Sequence, residues 1–239
     1  MLDSRFPHDG RFVFGDATLT ASEVLELLEP QLTAERQERI RLTVAGRTCN
    51  VATVLEDIYD RGNVSAVLRS AEALGFQCAH VIELGEKFKS SARVTQGADK
   101  WLDVRKWKST GECVAELKRL GYRIVATHLD SKAKPIGEID FTKPTALVLG
   151  NEKDGISKEM IESADETTII PMHGFVQSFN ISVAGAVSMY HIMRERERVL
   201  GRSGDLTDEE KLVLRAEFSL RSSKNPERLI EELLARRSK

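Results

Sequence analysis

The chain carries almost no net charge. Its 35 lysines and arginines stand against 37 aspartates and glutamates, leaving −2 at pH 7. No global basic field announces a nucleic-acid partner, so any such partner must be held by a local patch. Cysteine is scarce too: Cys49, Cys78 and Cys113 are odd in number and far apart. That pattern argues against a disulfide framework and against a metal site, and it fits a reducing cytosol. No apolar run is long enough to span a membrane, and no signal peptide opens the sequence. A cytoplasmic protein without a membrane partner is expected. Asn63-Val64-Ser65 and Asn180-Ile181-Ser182 match the glycosylation pattern, by chance on that expectation. Also absent are a Gly-rich P-loop ending in Lys-Ser or Lys-Thr, G-x-G-x-x-G, H-E-x-x-H and G-x-S-x-G. ATP-driven, nicotinamide and zinc chemistries therefore lose ground.

What is present is an ordinary globular composition, 30% charged and 41% hydrophobic over 239 residues. That is enough for one large core with appendages. Residues 1 to 19 show no clear period. Thr20 with Glu23 forms a capping box for a helix through Leu28, ended by Pro30. A second helix, Thr33 to Ala45, carries Arg36, Arg39 and Arg41 among few apolar residues. It reads as a solvated face or as a phosphate-contacting edge.

From Val51 the pattern alternates. Val51–Leu55, Ala79–Ile82, Trp101–Val104, Arg123–Thr127, Ala146–Leu149 and Thr168–Ile170 read as strands. Asn63–Leu74, Ser109–Leu120, a short stretch from Ser157 and Ile181–Val199 read as helices. Alternation of this kind predicts an α/β fold, a mainly parallel sheet with helices on both faces. After a hinge at Gly201 to Gly204, Thr207 with Glu210 caps another helix, and Asn225-Pro226 starts a last one. The division expected is a helical arm over 1–48, a main domain over 49–200 and a helical tail over 201–239.

Parallel sheets place ligands at the carboxyl ends of their strands. Three loops there stand out. The first, Glu56 to Arg69, follows the first strand and ends in Asn63-Val64-Ser65-Ala66-Val67-Leu68-Arg69. Asn63 reads equally as a helix cap, and Arg69 as a surface partner of Glu72 or as a guanidinium able to fork onto a phosphate. Leu147 to Ser157 contains Gly150, where the backbone can approach a ligand closely, and the turn Asp154-Gly155. Glu152 is there either an exposed loop carboxylate or an acceptor pointing into the crevice. Ile169 to Ala184 breaks at Pro171, turns at Gly174 and presents Ser178 and Asn180 just before a helix. Each is a strong cap residue, and the junction leaves backbone N–H groups that grip small polar groups.

Together, in this order and spacing, N-V-S-A-V-L-R, L-G-N-E-x-x-G-I-S and I-P-M-x-G-x-V-Q-S-F-N-I-S-V-A closely resemble the SPOUT superfamily of RNA methyltransferases. Within it they look like the tRNA guanosine 2′-O-methyltransferases that act on guanosine 18 of the D-loop. The resemblance covers roughly Arg36 to Arg198. It implies a C-terminal trefoil knot, S-adenosylmethionine as cofactor, tRNA as substrate and a homodimer whose active site draws on both chains. It implies that Thr127, Leu149, Gly150, Ile170, Met172, Ser178 and Phe179 line the cofactor pocket. Arg69, Asn63, Glu152, Ser178 and Asn180 match the active-site positions, with Arg69 as base or as phosphate fork. Arg39, Arg194 and Arg196 match positions that help to hold tRNA. Gly62 stands where relatives often carry His, and Phe179 where Leu is more usual. A methyltransferase for ribosomal RNA or another tRNA nucleotide shares this core chemistry. A non-catalytic RNA-binding protein of the same fold would not need Arg69, Glu152, Ser178 and Asn180 all intact.

Overall fold

The computed structural model describes residues 2–84, 97 and 99–237. In chain order the elements begin with β1 (Arg11–Phe14), β2 (Ala17–Thr20), α1 (Ala21–Leu28) and α2 (Ala34–Ala45). Next come β3 (Thr48–Glu56), α3 (Arg61–Ala73), β4 (Phe76–Ile82) and β5 (Asp103–Trp107). Then follow α4 (Thr110–Arg119), β6 (Arg123–Thr127), β7 (Lys134–Pro135) and β8 (Thr145–Leu149). The chain closes with α5 (Lys158–Ser163), β9 (Glu166–Ile169), α6 (Ile181–Leu200), α7 (Asp208–Ser222) and α8 (Pro226–Arg237). The chain divides into two compact units, Thr48–Ser203 on the one hand and Met1–Arg47 with Gly204–Lys239 on the other.

In the unit built from the two chain ends, β1 and β2 pair as an antiparallel hairpin, with Gly15 at its turn (φ 56°). The sequence alone had shown no period there. Phe12 and Phe14 alternate inward and Arg11 and Val13 outward, a pattern too short to stand out. The expected capping boxes are present: Thr20 accepts from the Glu23 N–H and Thr207 from the Glu210 N–H, while each glutamate accepts from the cap N–H. The core of this unit joins Val24 and Leu28 of α1 to Leu214 and Phe218 of α7, all buried.

The unit Thr48–Ser203 is a seven-stranded sheet in the order β5-β4-β3-β8-β6-β9-β7, every pair parallel. The strands β3, β4 and β8 are buried from end to end apart from Asn50, as fits a sheet covered on both faces. Register aligns their carboxyl ends: Leu55 pairs with Leu149, Ala126 with Val148, and Thr127 with Thr168. The loops after β3, β8, β6 and β9 therefore emerge at one end of the sheet. The chain runs outward from β3 on one side and from β8 on the other, so that end is also a topological switch point.

Helix α6 packs along α3, and Gly185 lets it settle. A Cβ there would lie 3.0 Å from Leu149 Cδ1 and 3.3 Å from Val67 Cγ2. Val67, Leu68, Leu149, Met189 and Ile192 join this helix pair to the core of the sheet. Several boundaries move from expectation: β3 and β4 each begin three residues earlier, and β9 begins two residues earlier and ends at Ile169. Trp101 closes a short 3-10 turn, and the strand begins at Asp103. Helix α3 begins two residues before Asn63, because Asp60 is its cap, accepting from the Gly62 N–H at 2.7 Å.

Candidate active site

The loops at the carboxyl ends of β6, β8 and β9, with the start of α6, enclose a cavity of about 780 Å³. Its walls include Thr127, Leu149, Gly150, Ile170, Met172, Ser178 and Phe179, which are all seven positions expected to hold a cofactor. Leu149 and Ile181 are buried, and Ile170 and Met172 partly so. Thr127 spends its hydroxyl proton inside the sheet, donating to the Val148 carbonyl at 2.9 Å. Glu152 and Asn180 also border the cavity.

Glu152 is the centre of a chain of contacts that the three loops form together. The Asn63 side-chain amide donates to Glu152 Oε1 at 2.6 Å, and the Tyr59 N–H donates to Oε2 at 3.2 Å. The Asn180 amide donates to Asn63 Oδ1 at 3.3 Å. Asn180 in turn caps α6, its Oδ1 accepting from the Ser182 N–H at 2.9 Å and the Ser182 hydroxyl at 2.5 Å. Because Asp60 does the capping of α3, Asn63 is left to face Glu152 rather than its own backbone. Asn180, by contrast, is both a cap and a member of the chain.

Gly150 is required by the loop that follows it. A Cβ at this position would sit 2.5 Å from Ile156 Cγ1 and 2.6 Å from the Ile156 nitrogen. The space that the missing side chain leaves is thus filled by the chain itself. Asn151, which sequence reasoning passed over, braces the same loop. It exchanges two backbone hydrogen bonds with Gly155, at 2.8 and 2.9 Å. Its side chain accepts from the Lys153 N–H at 2.8 Å and donates to the Asp57 carbonyl at 2.6 Å. Beneath the loop, Glu56 is buried at the end of β3. It accepts from the hydroxyls of Thr110 and Ser157, both at 2.7 Å, and from the Ser157 N–H at 2.9 Å. An acidic residue ending an otherwise apolar strand was the available signal. The same carboxylate, after burial itself, helps to push the Cys113 thiol up to about 12, so this cysteine stays protonated and inert.

Residues 50–190, more than half of the chain, match the model of the SpoU rRNA Methylase family. The chain belongs to this family. The tRNA (guanosine(18)-2'-O)-methyltransferase of Escherichia coli strain K12 is 38% identical over 162 residues, 68% of this chain and 71% of that protein. The crystal structure of the A. aeolicus TrmH/SpoU tRNA modifying enzyme is similar with a TM-score of 0.68 at 33% identity, covering 77% of this chain and 95% of that one. The SpoU methyltransferase AviRb from Streptomyces viridochromogenes, solved in complex with the cofactor AdoMet, gives a TM-score of 0.53 at 29% identity over 63% and 61% of the two chains.

The remaining expected residues of this SpoU family member lie apart from the cavity wall. Arg69 is exposed on α3 and does not line the cavity. Arg39 is exposed on α2. Arg194 is exposed on α6 and paired with Glu197 at 2.8 Å. Arg196 corrects an expectation. It is buried, 2% exposed, and its guanidinium donates to the Phe141 carbonyl at 2.6 Å. A guanidinium committed to a buried carbonyl does not meet an RNA phosphate. The alternating charges of Arg194-Glu195-Arg196-Glu197-Arg198 hid which arginine turned inward. Among the described residues no group of His, Cys, Asp and Glu is placed to hold a metal ion, and no helix is long and apolar enough to cross a membrane.

Proposed function

We propose that the chain is an S-adenosylmethionine-dependent RNA ribose 2′-O-methyltransferase whose target is guanosine 18 in the tRNA D-loop. The observation that carries this reading is the meeting of Glu152, Asn63 and Asn180 beside a cavity bordered by all seven expected cofactor positions. The tRNA substrate follows the E. coli and A. aeolicus relatives. The residues present fit the cofactor. Leu149, Ile170, Met172 and Phe179 offer apolar wall, and Gly150 and Ser178 bring backbone and a hydroxyl beside it. Ser188, fully buried, also borders the cavity with a hydroxyl that has no partner among the described residues. An apolar cleft with a few placed polar groups is what a cofactor of this size needs. When bound, S-adenosylmethionine supplies an electrophilic methyl group on a positive sulfonium.

The chain's own contribution is chiefly positioning. Glu152 holds the Asn63 amide, and Asn63 holds Asn180, so the three loops keep one geometry around the ribose. Arg69 forks onto a substrate phosphate and orients the 2′-hydroxyl, whose proton passes late to water. A guanidinium gives up its own proton with difficulty, so the fork is the better role than the base. Arg69 stands outside the cavity wall of its own chain, which supports a homodimer in which it serves the partner's cavity. Val183, Val187 and Tyr190 form an exposed apolar stripe along α6, a face suited to that contact. The trefoil knot belongs to the same reading and rests on family membership. Arg39 and Arg194 hold RNA phosphates. The arm over 1–48 and the tail over 201–239 select the RNA for the domain over 49–200. The protein works in the cytoplasm, where unmodified tRNA is found.

The family's own description favours ribosomal RNA as the second reading. Calorimetric titration with S-adenosylmethionine, then methyl transfer to a tRNA transcript beside a ribosomal RNA fragment, tests both. One bound cofactor per chain with transfer to tRNA is expected. Transfer to ribosomal RNA alone moves the substrate, and no cofactor binding overturns the reading.

A further inference from the structure

The loop Asp57–Asp60 joins β3 to α3 and is held at every residue. The Asp57 N–H donates to the Ile82 carbonyl at 2.9 Å, and its carbonyl accepts the Asn151 amide at 2.6 Å. The Asp57 carboxylate accepts from the Leu84 N–H at 3.3 Å. Ile58 is buried in the core. The Tyr59 N–H is bound to Glu152 Oε2, and Asp60 caps α3. Asp57 itself has φ 48°, a left-handed conformation rare outside glycine. Such strain persists only where the surroundings over-determine it, and it gathers at functional sites.

The product of all this support is one exposed ring. Tyr59 is 79% exposed although its backbone is fixed to the carboxylate at the centre of the site. An aromatic ring presented to water from a fixed backbone, with few rotatable bonds to order, suits a stacking contact. Its flanks, Asp60 and Glu152, are exposed carboxylates. They repel a phosphate and leave a neutral, planar group as the matching occupant. The apolar stripe available to a second copy lies on another element, α6.

We infer that Tyr59 is the stacking platform for an unpaired base of the RNA substrate, holding that nucleotide beside the Glu152–Asn63–Asn180 chain. The inference rests on the RNA methyltransferase reading. It adds a positioning residue from within the first of the three motifs, at a position to which the resemblance gave no role. Unpaired bases of RNA loops are commonly held on aromatic faces, and loss of one such contact weakens binding about ten- to a hundredfold.

The test measures binding of an unmodified tRNA transcript to the full chain in the presence of S-adenosylhomocysteine, for Tyr59→Phe, Tyr59→Leu and Tyr59→Ala. Phe should bind within about twofold of the parent, and both Leu and Ala at least about tenfold more weakly. S-adenosylhomocysteine affinity and sedimentation should be the same for all. With 2-aminopurine in place of the target nucleotide or a neighbour, the parent should quench its fluorescence and Tyr59→Ala should not. Full binding by Leu or Ala overturns the inference, as does a change of oligomeric state in Tyr59→Ala. Failure of the parent to bind any RNA overturns both the inference and the functional reading, whereas a loss confined to Leu and Ala supports both.

Discussion

Asn63 and Glu152 meet at 2.6 Å although 89 residues separate them in sequence. The contact ties the loop after β3 to the loop after β8, and Asn180 extends it to the start of α6. Asn63→Ala removes the middle member while leaving α3 capped by Asp60. Turnover should fall about a hundredfold, the scale of a small misplacement of reacting groups. Cofactor affinity, measured by calorimetry, should stay within about twofold. Equal loss of both would mean that Asn63 only supports the cavity.

Arg69 separates two kinds of chemistry. Lysine carries the same charge but not the planar fork. If Arg69 orients a phosphate and the hydroxyl, Arg69→Lys should lose more than about a hundredfold in kcat/KM with the pH–rate profile unmoved. Retained turnover with a profile displaced in pH would assign it as the base.

Gly150 leaves no room for a Cβ, which would lie 2.6 Å from the carbonyl carbon of Gly155. Gly150→Ala must push the loop 151–156 away from the strand end. A loss of about 2 kcal/mol in urea unfolding is expected, together with loss of cofactor binding. An unchanged midpoint would show that the loop yields freely.

His80 lies 3% exposed on β4 and accepts from Trp107 Nε1 at 3.0 Å. Burial, helped by the neighbouring Arg105 charge, lowers it from 6.5 to about 4. The unfolded chain therefore binds this proton between about pH 6.5 and 4 while the folded chain does not. Stability should be full above pH 6.5 and fall by about 3 kcal/mol as pH drops to 4. His80→Gln keeps an acceptor for Trp107 and should flatten that slope in chemical denaturation run across the window. Glu116, held down to about 2 by Arg119 and Arg105, acts in a separate window below about pH 4.5.

Much of the central unit was legible because its signals are local. Ser109 and Ser157 announce their helices as caps, and the buried runs of β3 and β8 announce a parallel sheet. Other features depend on partners far along the chain. Nothing near Val24 or Leu28 shows that α1 packs on α7, and nothing near Asn63 shows that Asp60 does its capping. Lys134–Pro135 joins the sheet as an edge strand of two residues, too short to carry a period. Arg196 turns inward to the Phe141 carbonyl from within a run of alternating charges. Tyr59 lies in the first motif without any local signal of a role, and only the fold reveals that its N–H rests on Glu152.

The most direct test of the central claim is transfer of labelled methyl from S-adenosylmethionine to two tRNA transcripts that differ at one atom. One carries guanosine at position 18 and the other 2′-deoxyguanosine. The account predicts label on the first only, and loss of that label with Arg69→Ala. Equal label on both transcripts would contradict the ribose 2′-hydroxyl of guanosine 18 as the acceptor.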